Sequence, residues 1–361
     1  MARFENNVMG LIPRQEWLDI PFVVNRPDNP IDQLFGDVKT ANLVAYWETI
    51  AAEYQVPLMA QFHGFDTEAQ KTFRIPVDSH NIEKGLIKVK IDQSERMRAL
   101  LRAGVQNDDL YDYVINDGIR LAEQVITRTK VAKNELMATG KVTIKENDLD
   151  LTVDYGVPEA QTNLTIDFGA GASAPLDEQL ESLVQTARNG GNVLNGFMTS
   201  RATLNKFRKS SVIQRAVNGN NMVGVLLSNA DLRAYLTEEY GLSNIIVNDA
   251  TYGVPGAVVN GRPHITAQRY FPELGITFFA APNGGTKLGD GLWGDPPEAD
   301  AGVEQNNNVT GSSESPYVYI SQWSEHDPTV LWTKASTLFM PVLYKPDSLY
   351  IATAVETPPK A

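Results

Sequence analysis

Cysteine is absent from all 361 residues. That removes disulfides, thiolate nucleophiles and cysteine-ligated metals in one step, and it is compatible with folding in a reducing compartment. Histidine is nearly as scarce. His63, His80, His264 and His326 are the four present, and no two stand at the i, i+3 or i, i+4 spacing of ligands sharing a helix face. The pattern predicts isolated polar histidines and no metal site. No stretch approaches the ~18 apolar residues that a membrane helix needs. Met1–Arg14 contains Val8, Met9, Leu11 and Ile12 without a sustained apolar run behind a basic start, so it does not read as a secretory signal. The expectation is a chain that begins soluble and cytosolic. Basic charge is in deficit too: 31 lysines and arginines face 44 acids, for a net charge of −13. General attraction to phosphate is therefore missing, and sequence-specific nucleic-acid reading is disfavoured. No internal repeat is visible.

The chemistry-bearing patterns are equally thin. Gly284-Gly285-Thr286-Lys287 has the glycines of a phosphate loop, but the order is wrong, because Leu-Gly-Asp-Gly follows where Gly-Lys-Ser/Thr should enter a helix. Gly169–Gly171 lacks the preceding strand and the spaced third glycine of a dinucleotide fingerprint. Acidic runs at Asp108-Asp109, Glu238-Glu239 and Asp295–Asp300 read as solvated faces and not as acid–base pairs. A Ser-His-Asp set meets only in space, yet no Gly-x-Ser-x-Gly elbow anchors one. Arg201, Lys206, Arg208, Lys209 and Arg215 punctuate a helical stretch with Leu204, Phe207, Val212 and Ile213. They are either a solvated charged face or a patch that meets an acidic neighbouring subunit. No catalytic, cofactor-binding or metal residues are assigned.

What is present suffices for a fold. Hydrophobic residues make up 42% and charged residues 21%, which is ordinary globular usage and enough for one large domain or two to three smaller ones. The first forty residues, with Pro13, Pro21, Pro27 and Pro30, read as an extended arm. Thr40–Tyr54 sets Leu43, Tyr46, Trp47, Ile50 and Ala51 at helical spacing before Pro57. Lys71–Val77 and Leu86–Ile91 alternate as strands around a polar segment, Asp78–Gly85, predicting a long projecting hairpin. Such a hairpin needs a neighbouring surface, because two strands bury too little alone.

Asp108–Thr139 is the strongest signal. Leu110, Val114, Gly118, Leu121, Val125, Ala132 and Leu136 recur at threes and fours. Asn107 or Asp108 can cap the start, and Gly140 follows the end. A hairpin is predicted over Lys141–Tyr155 with a turn at Asn147-Asp148, then a break at Gly169–Pro175 and a helix at Leu176–Arg188. An α+β stretch follows: strands at Asn195–Thr199, Asn244–Val247 and Gly275–Ala280, helices at Ser200–Val217 and Asp231–Tyr240. Pro282–Ser315 reads as a long surface excursion. Tyr317–Gln322, Leu338–Tyr344 and Ser348–Ala354 close the chain as buried strands.

This order of arm, hairpin, spine helix, hairpin, α+β insertion and returning strands resembles the tailed-phage major capsid fold, the Hong Kong 97-like fold. More specifically it resembles the lambda-like major capsid protein E family. Met137–Pro158 (MATGKVTIKENDLDLTVDYGVP), Pro282–Ala301 (PNGGTKLGDGLWGDPPEADA) and Thr337–Val355 (TLFMPVLYKPDSLYIATAV) carry the resemblance. It implies an α+β subunit with an N-terminal arm at 1–56 and an extended loop at 57–92. It also implies a peripheral domain at 93–165 plus 315–361 and an axial domain at 166–314. The implied function is structural and not enzymatic: self-assembly into hexamers and pentamers of an icosahedral head enclosing double-stranded DNA, without sequence-specific binding and without a membrane. The virion is the implied location, after synthesis in the bacterial host cytoplasm, with portal, scaffolding and decoration proteins as possible partners. Some relatives crosslink through a lysine, for which Lys71 or Lys84 could be imagined, but no partner residue is identifiable and non-covalent locking is expected. An encapsulin-like compartment is the alternative within the same fold. A soluble hydrolase built around His264 or His326 is the alternative from another class.

Overall fold

A computed structural model describes residues 29–49, 59, 74, 78–93, 107–147, 149–169, 175–219, 224–259, 262–299, 309–314, 317–326 and 329–356. Its axis is a single helix, α1 (Asn107–Thr139), whose 33 residues span about 50 Å at 1.5 Å per residue. The predicted inward positions Gly118, Leu121, Val125, Ala132 and Leu136 are buried; the side chains of Leu110 and Val114 lie outside the described residues. The helix stops at Gly140, whose φ of +72° is a left-handed conformation that side-chain-bearing residues resist. A Cβ there would also sit 2.9 Å from Val157 Cγ2.

Two sheets flank this helix. The first has six strands, in the order β1 (Phe35–Lys39), β13 (Gly289–Gly294), β16 (Thr329–Leu343), β15 (Tyr319–His326), β14 (Val309–Glu314), with β4 (Gly85–Gln93) also paired to β16. Only the β1–β13 pairing is parallel. The second has five strands, in the order β7 (Leu164–Asp167), β17 (Leu349–Val355), β12 (Gly275–Phe279), β8 (Gly196–Thr199), β9 (Asn244–Val247). Period-two alternation gives that sheet two buried faces, and hence near-continuous apolar strands. Met198, Ile246, Phe279 and Leu349 join the core around α1. Phe197, Ile245, Phe278 and Tyr350 enter a second core, roofed by α3 (Leu176–Asn189), α4 (Arg201–Lys209), α5 (Ser211–Asn218) and α6 (Asn229–Tyr240). The turn Glu159–Thr162, α2, packs on β17.

Three pairs stay two-stranded among the described residues: β2 (Val44–Thr49) with β3 (Asp78–Glu83), β5 (Lys141–Glu146) with β6 (Leu149–Asp154), and β10 (Thr251–Val259) with β11 (Arg262–Arg269). The predicted hairpin at 141–155 is the β5–β6 pair, turning at Asn147 with φ +49°.

Several expectations are corrected. Val44–Thr49 is a strand and not part of a helix. Ala45, Trp47 and Thr49 are buried while Val44, Tyr46 and Glu48 are exposed, so the alternation of period two prevails over the helical spacing; residues 50–54 lie outside the described residues. Leu86–Ile91 is a strand, but its partner is β16, and the polar segment after Asp78 forms β3 against β2. Most of Lys71–Val77 lies outside the described residues. Asn29–Lys39 is no free arm: Ile31, Leu34 and Phe35 are fully buried and β1 is a sheet strand. Within Pro282–Ser315, β13 lies inside the six-stranded sheet, with Trp293 buried. Its glycines mark close approach and not a loop. A Cβ at Gly291 would lie 2.8 Å from both Lys133 Cε and Phe339 Cε2, and one at Gly289 would overlap the Val342 carbonyl. The helix expected over Ser200–Val217 is two, broken at Ser210, where ψ turns to 121°.

A buried polar seam fastens the amino-terminal segment to α1. Lys133, only 1% exposed, gives its ammonium to Asp37 Oδ1 at 2.8 Å, and Lys130 reaches Asp32 Oδ2 at 2.9 Å. Trp293 Nε1 also donates to Asp37 Oδ1, at 2.8 Å. Asn248 Nδ2 links Asn134 Oδ1 (2.7 Å) to Asn29 Oδ1 (3.1 Å). Removing one partner of a buried pair strands the other, so Lys133→Ala is expected to cost about 3–5 kcal/mol. Lys133→Met keeps the stem and leaves Asp37 partly hydrated, so it should cost clearly less. Urea unfolding of dissociated subunits reads both; equal midpoints for wild type and Lys133→Ala would contradict the seam's role.

Candidate assembly surfaces

The two histidines whose side chains are described, His80 and His264, do not converge. His80 stacks on Trp47 with ring centroids 5.3 Å apart, and its Nε2 lies 2.9 Å from Thr49 Oγ1, which makes it part of the β2–β3 packing. His264 is exposed on β11, far along a two-stranded ribbon. His63 lies outside the described residues, as does the side chain of His326, whose backbone ends β15. Among the described residues, no group of three or more His, Cys, Asp or Glu side chains is arranged to hold a metal ion. Lys287 leads into strand β13, not a helix, and pairs with Asp290 at 2.8 Å. Of the acidic runs, Asp295 pairs with Lys39 at 2.7 Å and Glu298 with Lys334 at 2.9 Å. No described helix is long and apolar enough to cross a membrane.

A cleft of about 510 Å³ opens between the α4–α5 junction and the end of β17, lined by Phe168, Asn205, Lys206, Lys209, Ser210 and Glu356 among others. Lys206 spans it to Glu356 at 2.5 Å. This lining holds no histidine and no acid–base pair beyond that ion pair.

The three ribbons are a different matter. Each is anchored to the body by buried or half-buried side chains and presents apolar ones to solvent. In β2–β3, Trp47 packs against Tyr155 at 5.8 Å, while Tyr46 on the opposite face is 58% exposed. In β5–β6, Val142 and Val153 are buried near Gly140; Leu149, beside the turn, is 57% exposed and Leu151 is also exposed. In β10–β11, Asp249 clamps the base through Arg269 (2.5 Å) and Arg201 (3.2 Å), and Tyr252 packs on Tyr270 at 4.9 Å. Farther out, Ile265 is 66% exposed. Isolated exposed apolar residues are ordinary, and Val193 and Val225 are others here; on two-stranded ribbons they weigh more, since such ribbons are marginal without a further surface. Fully burying one Ile or Leu side chain stabilises by about 1.5–3 kcal/mol, so a few such contacts per copy decide association.

Sequence reasoning missed the β10–β11 ribbon, whose Gly253, Pro255 and Gly256 interrupt the alternation. It also missed the inward role of Lys84, one candidate for a crosslinking amine. Lys84 is 3% exposed and its Nζ donates to Thr40 O (2.9 Å), Thr40 Oγ1 (2.6 Å) and Trp293 O (3.1 Å), tying the start of β4 to β1 and β13. Burial pulls its pKa down, against the opposing charge of Asp295. An amine spent on three internal oxygens is not offered to a neighbour. Amine-reactive labelling of the native protein, mapped by mass spectrometry, should therefore modify exposed Lys145 and spare Lys84 until the protein is unfolded; equal labelling of the two would overturn this placement.

Asp117, on α1, is a second buried group whose charge is poorly balanced. Burial raises its pKa, and Arg120 and the Gln93 amide only partly counter it. A raised carboxyl pKa means stability present below the unfolded value, 3.8, and lost as pH rises through the folded value. Asp117→Asn is accordingly expected to raise the urea midpoint at pH 7 and to flatten its fall above pH 4; an unchanged pH profile would show that Asp117 is solvated.

Comparison with known proteins joins these surfaces to a family. The model of the phage major capsid protein E family matches residues 87–354, well over half of the chain. Among solved structures, the chain resembles a putative capsid protein of a prophage in E. coli CFT073, with TM-score 0.53 and 11% identity over 95% of this chain and 99% of that one. A phage-related protein from Bordetella bronchiseptica RB50 is similar at TM-score 0.51 and 12% identity, covering 94% and 96%. At those identities the likeness is one of fold, the α+β Hong Kong 97-like fold. No curated protein matches the sequence. From its spine helix to its last strand, the chain belongs to the phage major capsid protein E family.

Proposed function

We propose that copies of this chain close into hexamers and pentamers that tile an icosahedral phage head around double-stranded DNA, and that the shell itself is the product, with no reaction catalysed. The observation that carries this is the set of ribbons: a subunit with two closed cores still presents Tyr46, Leu149, Leu151 and Ile265 to solvent on strand pairs that cannot cover them. Other copies can. Interfaces of about 1,200–2,000 Å² each are the usual size for specific association, and many such contacts make a shell cooperative.

The two-core architecture supports a peripheral domain of 93–165 with 315–361 and an axial domain of 166–314, beside an arm at 1–56 and an extended loop at 57–92. Strand pairing qualifies those bounds: β13 pairs into the peripheral sheet and β17 into the axial one. A net charge of −13 suits a container, because a strongly basic inner wall would hold DNA during filling. Portal, scaffolding and decoration proteins are further partners in this reading, and the host cytoplasm is the place of synthesis.

Expression of the full chain alone and with its neighbouring genes, followed by size-exclusion chromatography and negative-stain electron microscopy, tests the proposal. Rings, tubes or closed shells are expected. A monodisperse small species under every condition would overturn it. Nuclease-protected DNA within closed particles, in preference to an enzyme cargo, would distinguish a phage head from an encapsulin-like compartment.

A further inference from the structure

A ring of five or six identical copies cannot be closed by a surface that pairs with itself. Cyclic rings above the dimer use heterologous contacts, in which one patch on each copy meets a different patch on the next. The helical layer over the second core carries two such patches of opposite sign. Arg201–Asn218, spanning α4 and α5, contains five basic residues and no acid, within a chain of net charge −13. Arg201 is paired with Asp249, Lys206 with Glu356, and Arg208 donates to Leu227 O at 2.8 Å and to Asn205 Oδ1 at 3.1 Å. Lys209 and Arg215 are exposed, and neither makes an ion pair among the described residues.

The acids gather at the other end of the layer. Arg208 touches Leu227, just ahead of α6, whereas the Asp177 carboxylate at the start of α3 accepts from the OH of Tyr240 (3.0 Å), the last residue of α6, and from Tyr235 OH (3.3 Å) in its middle. The 12 residues of α6 separate the two ends by about 17 Å. At the far end Glu178, Glu181, Glu238 and Glu239 are exposed without an ion pair among the described residues. Their charge is felt locally: Asp177 and Glu239 both help burial to raise the Tyr235 pKa. The α3 helix repeats the polarity, with acids in its first turns and Arg188 in its last. Asp231, the one acid near the basic end of α6, is occupied by its cap partner Ser228 at 2.6 Å.

Glu238 and Glu239 also stand against the local field. A helix C-terminus carries partial negative charge, so carboxylates in the last turn are unfavourable unless a cation is brought to them. Nothing within the described part of the subunit brings one. We propose that the basic α4–α5 patch, through Lys209 and Arg215, docks on the acidic α3–α6 patch, through Glu238 and Glu239, of a second copy of this chain in the same ring. The inference rests on the assembly proposed above and names the surfaces that make its ring contact.

Charge reversal of the full chain tests it. Lys209→Glu with Arg215→Glu, and separately Glu238→Lys with Glu239→Lys, should each lower the yield of rings and shells about tenfold or more, as juxtaposed like charges do. The four changes together restore opposite signs and should return yield to within about threefold of wild type, as coupled sites do. All positions are exposed, so dissociated subunits should stay folded with urea midpoints moved only slightly, upward for Glu238→Lys with Glu239→Lys and downward for Lys209→Glu with Arg215→Glu, as charges in last helical turns dictate. The neutral pairs Lys209→Gln with Arg215→Gln and Glu238→Gln with Glu239→Gln give a second reading: both should remove most of the salt dependence of assembly. Wild-type yield from either reversed pair, no rescue in folded fourfold variants, or unchanged salt dependence in the neutral pairs overturns the inference. Failure of the wild-type chain to assemble at all would instead overturn the proposed function.

Discussion

Lys133 carries its ammonium group into the interior of the protein, and the chain in front of the spine helix is arranged around that charge. A buried cation is expensive unless paired and hydrogen-bonded. Here it is met by Asp37 at 2.8 Å and by the Phe35 carbonyl at 3.4 Å, with Asp32 3.7 Å away and shared with Lys130. These partners lie in Asn29–Lys39, so satisfying the lysines places that segment under α1 and delivers β1 to the edge of the six-stranded sheet. Beside it, Gly291 gives the Lys133 stem the room it needs, and Trp293 shares Asp37 as an acceptor. Replacing the seam by apolar residues of like volume could be neutral in free energy. What the charges favour is register: in this alignment of segment and helix, Lys133 meets Asp37 and Lys130 meets Asp32, so neither ammonium group is left stranded.

The spine helix lies in the first core, across the five-stranded sheet from the second. Its middle packs on β16 and β4, and its final turns meet β12 and β17. There Thr277 Oγ1 donates to the Met137 carbonyl at 2.8 Å, satisfying one of the acceptors a helix end leaves open. Because β8, β9, β12 and β17 alternate between the α1 side and the α3–α6 side, movement of α1 would be felt in both cores. Rigidity of that kind suits a shell subunit. Interfaces can only be selective if the patches they join keep fixed spacing, and here the ribbons and the charged helix ends are referred to one continuous frame.

How much of this could be read from the residues depends on which scale decided each element. The spine helix, the hairpin at 141–155, the strands at 196–199, 244–247 and 275–279 and the closing strands were legible, because local periodicity and burial agree there. Val44–Thr49 was misread because Tyr46 and Trp47 satisfy a helical count, while their pairing with Asn81 and His80 across β2–β3 is distant in sequence and leaves no local trace. β13 was misread for the opposite reason: Gly289 and Gly291 look like loop punctuation until the neighbouring Val342 carbonyl and Lys133 stem occupy the missing side chains' space. Lys133 itself was legible in principle, since it lies three and four residues from the buried Thr129, Leu136 and Met137, a position where charge is out of place. The assembly surfaces were the least legible part. Exposed apolar residues such as Ile265 are recognisable only once the two-stranded pairing beneath them is known.

Assembly of an acidic subunit has to overcome accumulating repulsion. Each added copy brings the same net negative charge, and at physiological ionic strength a field falls off over only about 8 Å, so the repulsion that matters is between neighbours in contact. Two features of this chain answer it at that range. Apolar side chains on the ribbons contribute an attraction that is nearly indifferent to salt, and the Lys209–Arg215 patch lies at the opposite end of α6 from Glu238 and Glu239, so that contact between unlike ends is favoured over contact between like ends. The first sets how strongly copies adhere. The second sets which way round they do so, and a ring with a fixed direction of closure needs both.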